Sequence, residues 1–179
     1  MASRNFGRFA LALVLAASCG ILSAHAGWST GAHTGIPTFM NSDGVSNTQT
    51  VTTASGPALA IRSGVIGVVV VNIPVTAPAG SAFSHIALKA LDNTKQGFVK
   101  ATLYRRSQNG ADELLGSVTS SEGTGMRSTS ASLFKSVDSL ADGDQLYIRL
   151  ELGRGDKSAV VMARDIQLVE SQEALQSAE

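Results

Sequence analysis

Leu146, Ile148, Leu150 and Leu152 alternate with Tyr147, Arg149 and Glu151. Successive side chains of a strand point to opposite faces, so this period of two places the four aliphatic residues on one buried face and the others on a solvated one. The same pattern returns at residues 98–107. There Val99, Ala101 and Leu103 alternate with Lys100, Thr102 and Tyr104. No stretch of comparable strength carries helical spacing. The chain is therefore read as strands joined by turns.

Turn chemistry sets the joints. Asn109-Gly110 follows the 98–107 strand and is a strong hairpin signal, with 113–120 returning as partner. Asp142-Gly143-Asp144 precedes the 145–152 strand and residues 153–157 follow it. The next strand, 158–169, comes at once, so 145–152 and 158–169 are expected to form an antiparallel hairpin. Residues 83–91, 128–137 and 48–54 are further strand candidates. Residues 65–75 are the most apolar stretch. Val68 to Val71 do not alternate, so this strand is expected to be buried on both faces, with Pro74 and Pro78 ending it. It is also the natural place for contact between copies of the chain. Some eight short strands with regular turns give an all-β, antiparallel β-sandwich, of jelly-roll or immunoglobulin-like type.

The first 26 residues differ from the rest. Arg4 and Arg8 precede an apolar run from Ala10 to Leu22, and Ser23-Ala24-His25-Ala26 supplies the small residues a signal peptidase requires. The run is short for a membrane anchor. The expected organisation is a secretory signal over 1–26, a flexible extension over 27–47, a sandwich over 48–169 and a tail over 170–179. The extension either packs along the domain or stays loose. The mature chain is then secreted or periplasmic, with no transmembrane span. Ala16-Ala17-Ser18-Cys19 offers an alternative, because it resembles the lipobox of bacterial lipoproteins with Ala16 in place of the usual leucine. In that case Cys19 carries the lipid and tethers the protein. Cys19 is the only cysteine, so no disulfide is expected. Loss of Arg4 and Arg8 from the 14 basic residues leaves an excess of two acids against 14. Such a balance gives no reason to expect nucleic acid as a partner.

Several short motifs were weighed against ordinary structure. Gly27-Trp28-Ser29-Thr30-Gly31 fits G-x-S-x-G, but that motif needs a strand before the serine and a helix after it. Ser132 and Lys135 fit S-x-x-K, which works only on a helix; three residues apart on a strand they point to opposite faces. Arg154-Gly155-Asp156 is an adhesion tripeptide on an expected turn with both charges exposed. Asp138, Asp142 and Asp144 gather carboxylates that calcium favours, without the full loop spacing of a calcium-binding hand. No other cofactor is expected. His33 and His85 are far apart and do not suggest zinc.

Sugar-binding sandwiches place aromatic rings on a solvated face. Tyr104 and Tyr147 each fall on the polar side of their strand. If the two strands are neighbours, the rings and Arg149 form a platform. Three functions follow. The first is an exported, non-enzymatic binding module for a glycan or protein, using this face or the loops at 43–47, 121–127 and 154–157. The second is a self-assembling surface or matrix protein, a homo-oligomer through residues 65–75. The third is a small hydrolase, with Glu151 and Asp165 as the acids well inside expected strands.

Overall fold

The computed structural model describes residues 26–37, 47–77, 81–137 and 143–171. They form β1 (Ala26–Gly31), a short 3-10 turn (Ala32–Thr34), β2 (Ile36–Pro37), β3 (Thr48–Thr53), β4 (Gly56–Ile61), β5 (Gly67–Val75), β6 (Phe83–Asp92), β7 (Gly97–Arg106), β8 (Asp112–Thr119), β9 (Arg127–Val137), β10 (Gln145–Arg154) and β11 (Val161–Glu170). Two antiparallel sheets result. One runs β3-β4-β11-β6-β9, with β1 also on β11; the other runs β2-β5-β10-β7-β8. The all-β antiparallel sandwich expected from the sequence is the observed fold.

Alternation explains how the sheets face each other. On β10, Leu146, Ile148, Leu150 and Leu152 are buried, and Val99, Ala101 and Leu103 on β7 are fully buried beside them. Val69, Val71 and Ile73 of β5 complete that side. From the opposite sheet come Ile86 and Leu88 of β6 and Ile166 and Leu168 of β11. These side chains form one hydrophobic cluster between the layers, with Trp28 packed against it. Burial of whole aliphatic side chains, each contributing roughly 1.5–3 kcal/mol, is the main favourable term holding the layers together.

Several expectations change. The strand after β10 does not pair with it: β10 lies between β5 and β7, while β11 pairs with β4, β6 and β1 in the other sheet. Residues 155–160 therefore cross between layers. Periodicity shows which face of a strand is buried but not which strand lies beside it. The sandwich also begins before residue 48. β1 packs along the domain, pairing with β11 from Ala26 opposite Val169 to Gly31 opposite Asp165. It takes over where β4, paired to Met162 and Ala163, leaves off.

The valine run is buried on one face only along its full length. Val68, on the outer face of β5, is 53% exposed, although Val70 is buried. The strand's position is near the sheet edge rather than central, and the outermost β2 covers only Val71 and Asn72. Pro74 does not end β5 either. It sits within the strand opposite Tyr147, beyond the reach of β2, where a missing donor costs little.

The 107–111 turn is a hairpin, as expected, but its conformation is not a pair of left-handed residues. Only Gly110 has positive φ. Asn109 instead accepts a hydrogen bond from the Ala111 N–H at 3.1 Å through Oδ1. Among the described residues no helix is long and apolar enough to cross a membrane.

Ile148 is fully buried at the centre of the five-stranded sheet. Ile148→Ala should cost about 2–5 kcal/mol, while the exposed loop change Lys95→Ala should stay within about 0.5 kcal/mol. Urea denaturation of both variants checks this contrast.

Candidate functional site

The outer face of the five-stranded sheet is set by the same registers. β10 and β7 pair from Gln145 opposite Arg106 to Arg154 opposite Gly97. Tyr147 thus lies directly opposite Tyr104. Pro74 continues this row on β5 and Leu114 on β8. A row of two rings and two apolar side chains crosses four strands, with Leu114 45% exposed at its end.

The two tyrosine rings stack, with centroids 5.3 Å apart and planes 14° from parallel. Such offset pairs add about 0.5–1.5 kcal/mol beyond their burial. The Arg106 guanidinium lies 5.1 Å from the Tyr147 centroid. It also donates twice to Asp112, from Nε to Oδ1 at 2.8 Å and from Nη2 to Oδ2 at 2.9 Å. This fork is planar and directional. The guanidinium holds the Asp112 carboxyl below its ordinary range, chiefly through that hydrogen bond. Burial, and then a hydrogen bond from its hydroxyl to Asp112, pushes Tyr147 above its usual value. The four side chains make one connected unit.

Arg149 is not part of that unit. It stands one row further along, opposite Asn72 and Thr102, with Nη2 3.3 Å from Glu151 Oε1. The cation at the rings is Arg106, which sequence reasoning missed. Its signal was available: Arg106 lies two residues past Tyr104, on the same face, and Asp112 sits across the Asn109-Gly110 turn.

Beside the unit, Glu113 accepts from Arg105 Nε at 3.0 Å and from Lys135 on β9, tying the two sheets together at their edge. Lys135 and then Arg105 hold the Glu113 carboxyl low. Arg105, Asp112 and Glu113 line a hollow of about 370 Å³, and Asp144 reaches it too. Of the calcium candidates, Asp138 and Asp142 lie outside the described residues. Among the described residues no three histidine, cysteine or acidic side chains gather into a metal-binding group.

The remaining candidates take structural places. The Arg154 guanidinium donates to the carbonyls of Asp156 at 3.2 Å, Arg62 at 3.4 Å and Lys157. Asp156 accepts from the Ser158 hydroxyl at 2.6 Å, which lowers its carboxyl. The Gly155 N–H donates to Gln96. The tripeptide 154–156 is thus tied to its own loop and to Arg62 and Gln96 of neighbouring loops, with its two charges hydrogen-bonded at the surface. Glu151 and Asp165, the acids considered for a hydrolase, lie in opposite sheets. Alternation turns both outward, so they cannot flank one bond.

Ser29 sits in β1 opposite Gln167 with no elbow around it. Ser132 and Lys135 both lie on β9; Ser132 bonds to His85 at 3.2 Å and Lys135 to Glu113. Of the valine-rich segment, Ile66 and Val68 are the large hydrophobic side chains left exposed. Cys19 lies outside the described residues.

No protein-family model and no curated protein sequence matches this chain. Solved structures are similar in architecture. The carbohydrate-binding module CBM36 in complex with calcium and xylotriose matches 79% of this chain and 98% of its own, at 14% identity and a TM-score of 0.49. A carbohydrate-binding module from Cellvibrio mixtus lichenase 5A in complex with cellotriose matches 83% of this chain and 100% of its own, at 15% identity and a TM-score of 0.46. A xylan-binding domain from Paenibacillus barcinonensis matches 83% of this chain and 94% of its own, at 15% identity and a TM-score of 0.45.

The chain has two tyrosines, so Tyr104→Phe leaves Tyr147 as the sole phenol. Its ultraviolet titration should show ionisation above pH 10, the ordinary value. Because the folded value is raised, the neutral ring's stabilising contribution is complete below about pH 10. It is lost as pH rises through the folded value. Adding Asp112→Ala should bring the midpoint down.

Proposed function

We propose that this chain is an exported, non-enzymatic glycan-binding module whose ligand lies on the outer face of the β2-β5-β10-β7-β8 sheet. The observation that carries this reading is the Tyr104–Tyr147 stack fixed to Arg106 and Asp112. A sugar presents apolar C–H patches and, around them, hydroxyls that both donate and accept. Its receptor needs apolar ring surface bordered by oriented polar groups. The row Pro74, Tyr147, Tyr104 and Leu114 supplies the first. The neighbouring row of Gln145, Arg106 and Asp112 supplies the second. Their mutual hydrogen bonds restrict rotamers before any ligand arrives, which lowers the entropy cost of binding.

Binding without catalysis is supported by the separation of Glu151 from Asp165 and by the pairing of the acid at the rings, Asp112, with Arg106. Export rests on the leader-like segment 1–26 of the sequence.

Tyr147→Ala should weaken binding to an immobilised or soluble β-linked oligosaccharide by roughly tenfold, about 1.4 kcal/mol, with the fold retained. Calorimetry measures the affinity, and chromatography of the mixture should show no shorter products. Unchanged affinity in this variant contradicts the site. Product formation contradicts the non-enzymatic reading. Intact-mass analysis of protein exported from a bacterial host checks the leader. A chain beginning at Gly27 is expected, and a lipid-modified Cys19 start would instead make it a tethered protein.

A further inference from the structure

A second aromatic station lies on the same face, and its geometry differs from the tyrosine pair. Phe98 is opposite Gly153 in the β7–β10 ladder. Gly153 follows the inward Leu152, so its missing side chain would point outward. A Cβ built there would lie 2.0 Å from Phe98 Cε1, 2.4 Å from Cδ1 and 2.6 Å from Cζ. The ring therefore occupies the place where that side chain would be. It lies across the strand and buries Gly153, while itself remaining half-buried. Its Cδ1, Cε1 and Cζ atoms meet the Gly153 backbone, and the half-buried side chain keeps part of its surface to solvent. Tyr104 and Tyr147, by contrast, each cover one face of the other.

Both stations stand on β7. Six residues separate Phe98 from Tyr104, which is about 20 Å along a strand. Between them lie Lys100, Thr102, Arg149 and Glu151. Two acids, Glu151 and Asp112, face three cations along this track and leave a net charge of one. Arg149 pairs with Glu151, Lys100 stands opposite Glu151, and Arg106 pairs with Asp112. An anionic ligand would have to displace an acid from two of the three cations. A neutral ligand meets Lys100, Arg149 and Glu151 as hydrogen-bonding groups, with Thr102 buried between them.

Resting on the glycan-binding reading above, we infer that this face binds a neutral, straight β-1,4-linked chain, lying along β7 and β10 with its ends at the Tyr104–Tyr147 pair and at Phe98. Two stations on one strand require a ligand that stays straight between them. Equatorial linkages give such a ribbon. A coiling α-1,4-linked chain would leave the sheet before reaching the second ring. A chain of about four pyranose units covers the roughly 20 Å track, and a disaccharide reaches only one station. At Phe98 the sugar's C–H face meets the electron-rich ring face.

Calorimetric titration of the full protein with xylo- and cello-oligosaccharides of two to six units tests this, with maltohexaose as the coiled counterpart. The expected result is an affinity that climbs from the shortest to the longest member of at least one β-1,4 series, with maltohexaose much weaker. Phe98→Ala should cost roughly tenfold for the hexaose and leave the disaccharide unchanged. Phe98→Leu keeps an apolar cover over Gly153 without an aromatic face, and should show the same selective loss with an unaltered melting temperature. Phe98→Trp should retain the long-chain affinity. An affinity that stops rising at the disaccharide, or Phe98 variants equal to the parent for all lengths, overturns the second station while leaving the tyrosine site standing. Equal binding of maltohexaose overturns the straight-chain assignment. Absence of binding to every sugar overturns this inference together with the glycan reading it rests on.

Discussion

The pairing of β10 with β7 is the constraint on which the rest of this molecule depends. Its register runs unbroken for ten residue pairs, from Gln145 opposite Arg106 to Arg154 opposite Gly97. On the inner side it brings Leu146, Ile148, Leu150 and Leu152 together with Val99, Ala101 and Leu103. On the outer side it brings Tyr147 to Tyr104 and lays Phe98 on Gly153. A slip of one residue would turn the leucines outward and the tyrosines into the core. The apolar core and the candidate binding face are therefore two sides of one ladder. Selection for stability on one side fixes the geometry of the other.

This coupling explains why a sandwich sheet suits recognition of an extended ligand. Side chains two apart on a strand repeat at about 6.6 Å on one face, so the strand itself is a ruler. Rigid elements hold the stations apart more precisely than loops would. The glycine at 153 matters through absence. Only without a side chain there does the Phe98 ring fit in the space above the backbone. At the other end the Arg106–Asp112 fork fixes a guanidinium beside the Tyr147 ring.

Much of the sandwich was legible in the sequence because alternation is a local property. β10, β7 and β8 were placed from residue pattern and from the Asn109-Gly110 turn, and the Tyr104–Tyr147 platform followed once their strands were taken as neighbours. Partner choice was not legible in the same way. The turn after Arg154 reads like a hairpin tip, yet it carries the chain to the other sheet, since nothing in a strand's period says which edge it will join. β4 escaped notice because Gly56, Pro57 and two alanines lack a strand's usual β-branched composition. Arg106 lies outside the apolar pattern that alternation reveals, and the place of Phe98 depends on the space above a glycine, which is visible only in three dimensions. The Arg-Gly-Asp tripeptide is hydrogen-bonded at the surface, to loop carbonyls, to Arg62 and to Ser158, as ordinary turn sequence would be.

The central claim is that the outer face of the β2-β5-β10-β7-β8 sheet is the ligand surface. Nitrogen-15 chemical-shift mapping of the protein during titration with xylohexaose and cellohexaose tests it most directly. The account predicts progressive shifts along β7 and β10, from Gln145 and Tyr104 at one end to Gly153 and Phe98 at the other, with the β3-β4-β11-β6-β9 sheet unmoved. Shifts confined to that second sheet or to the 121–127 and 154–157 loops, or no shifts with either sugar, would contradict it.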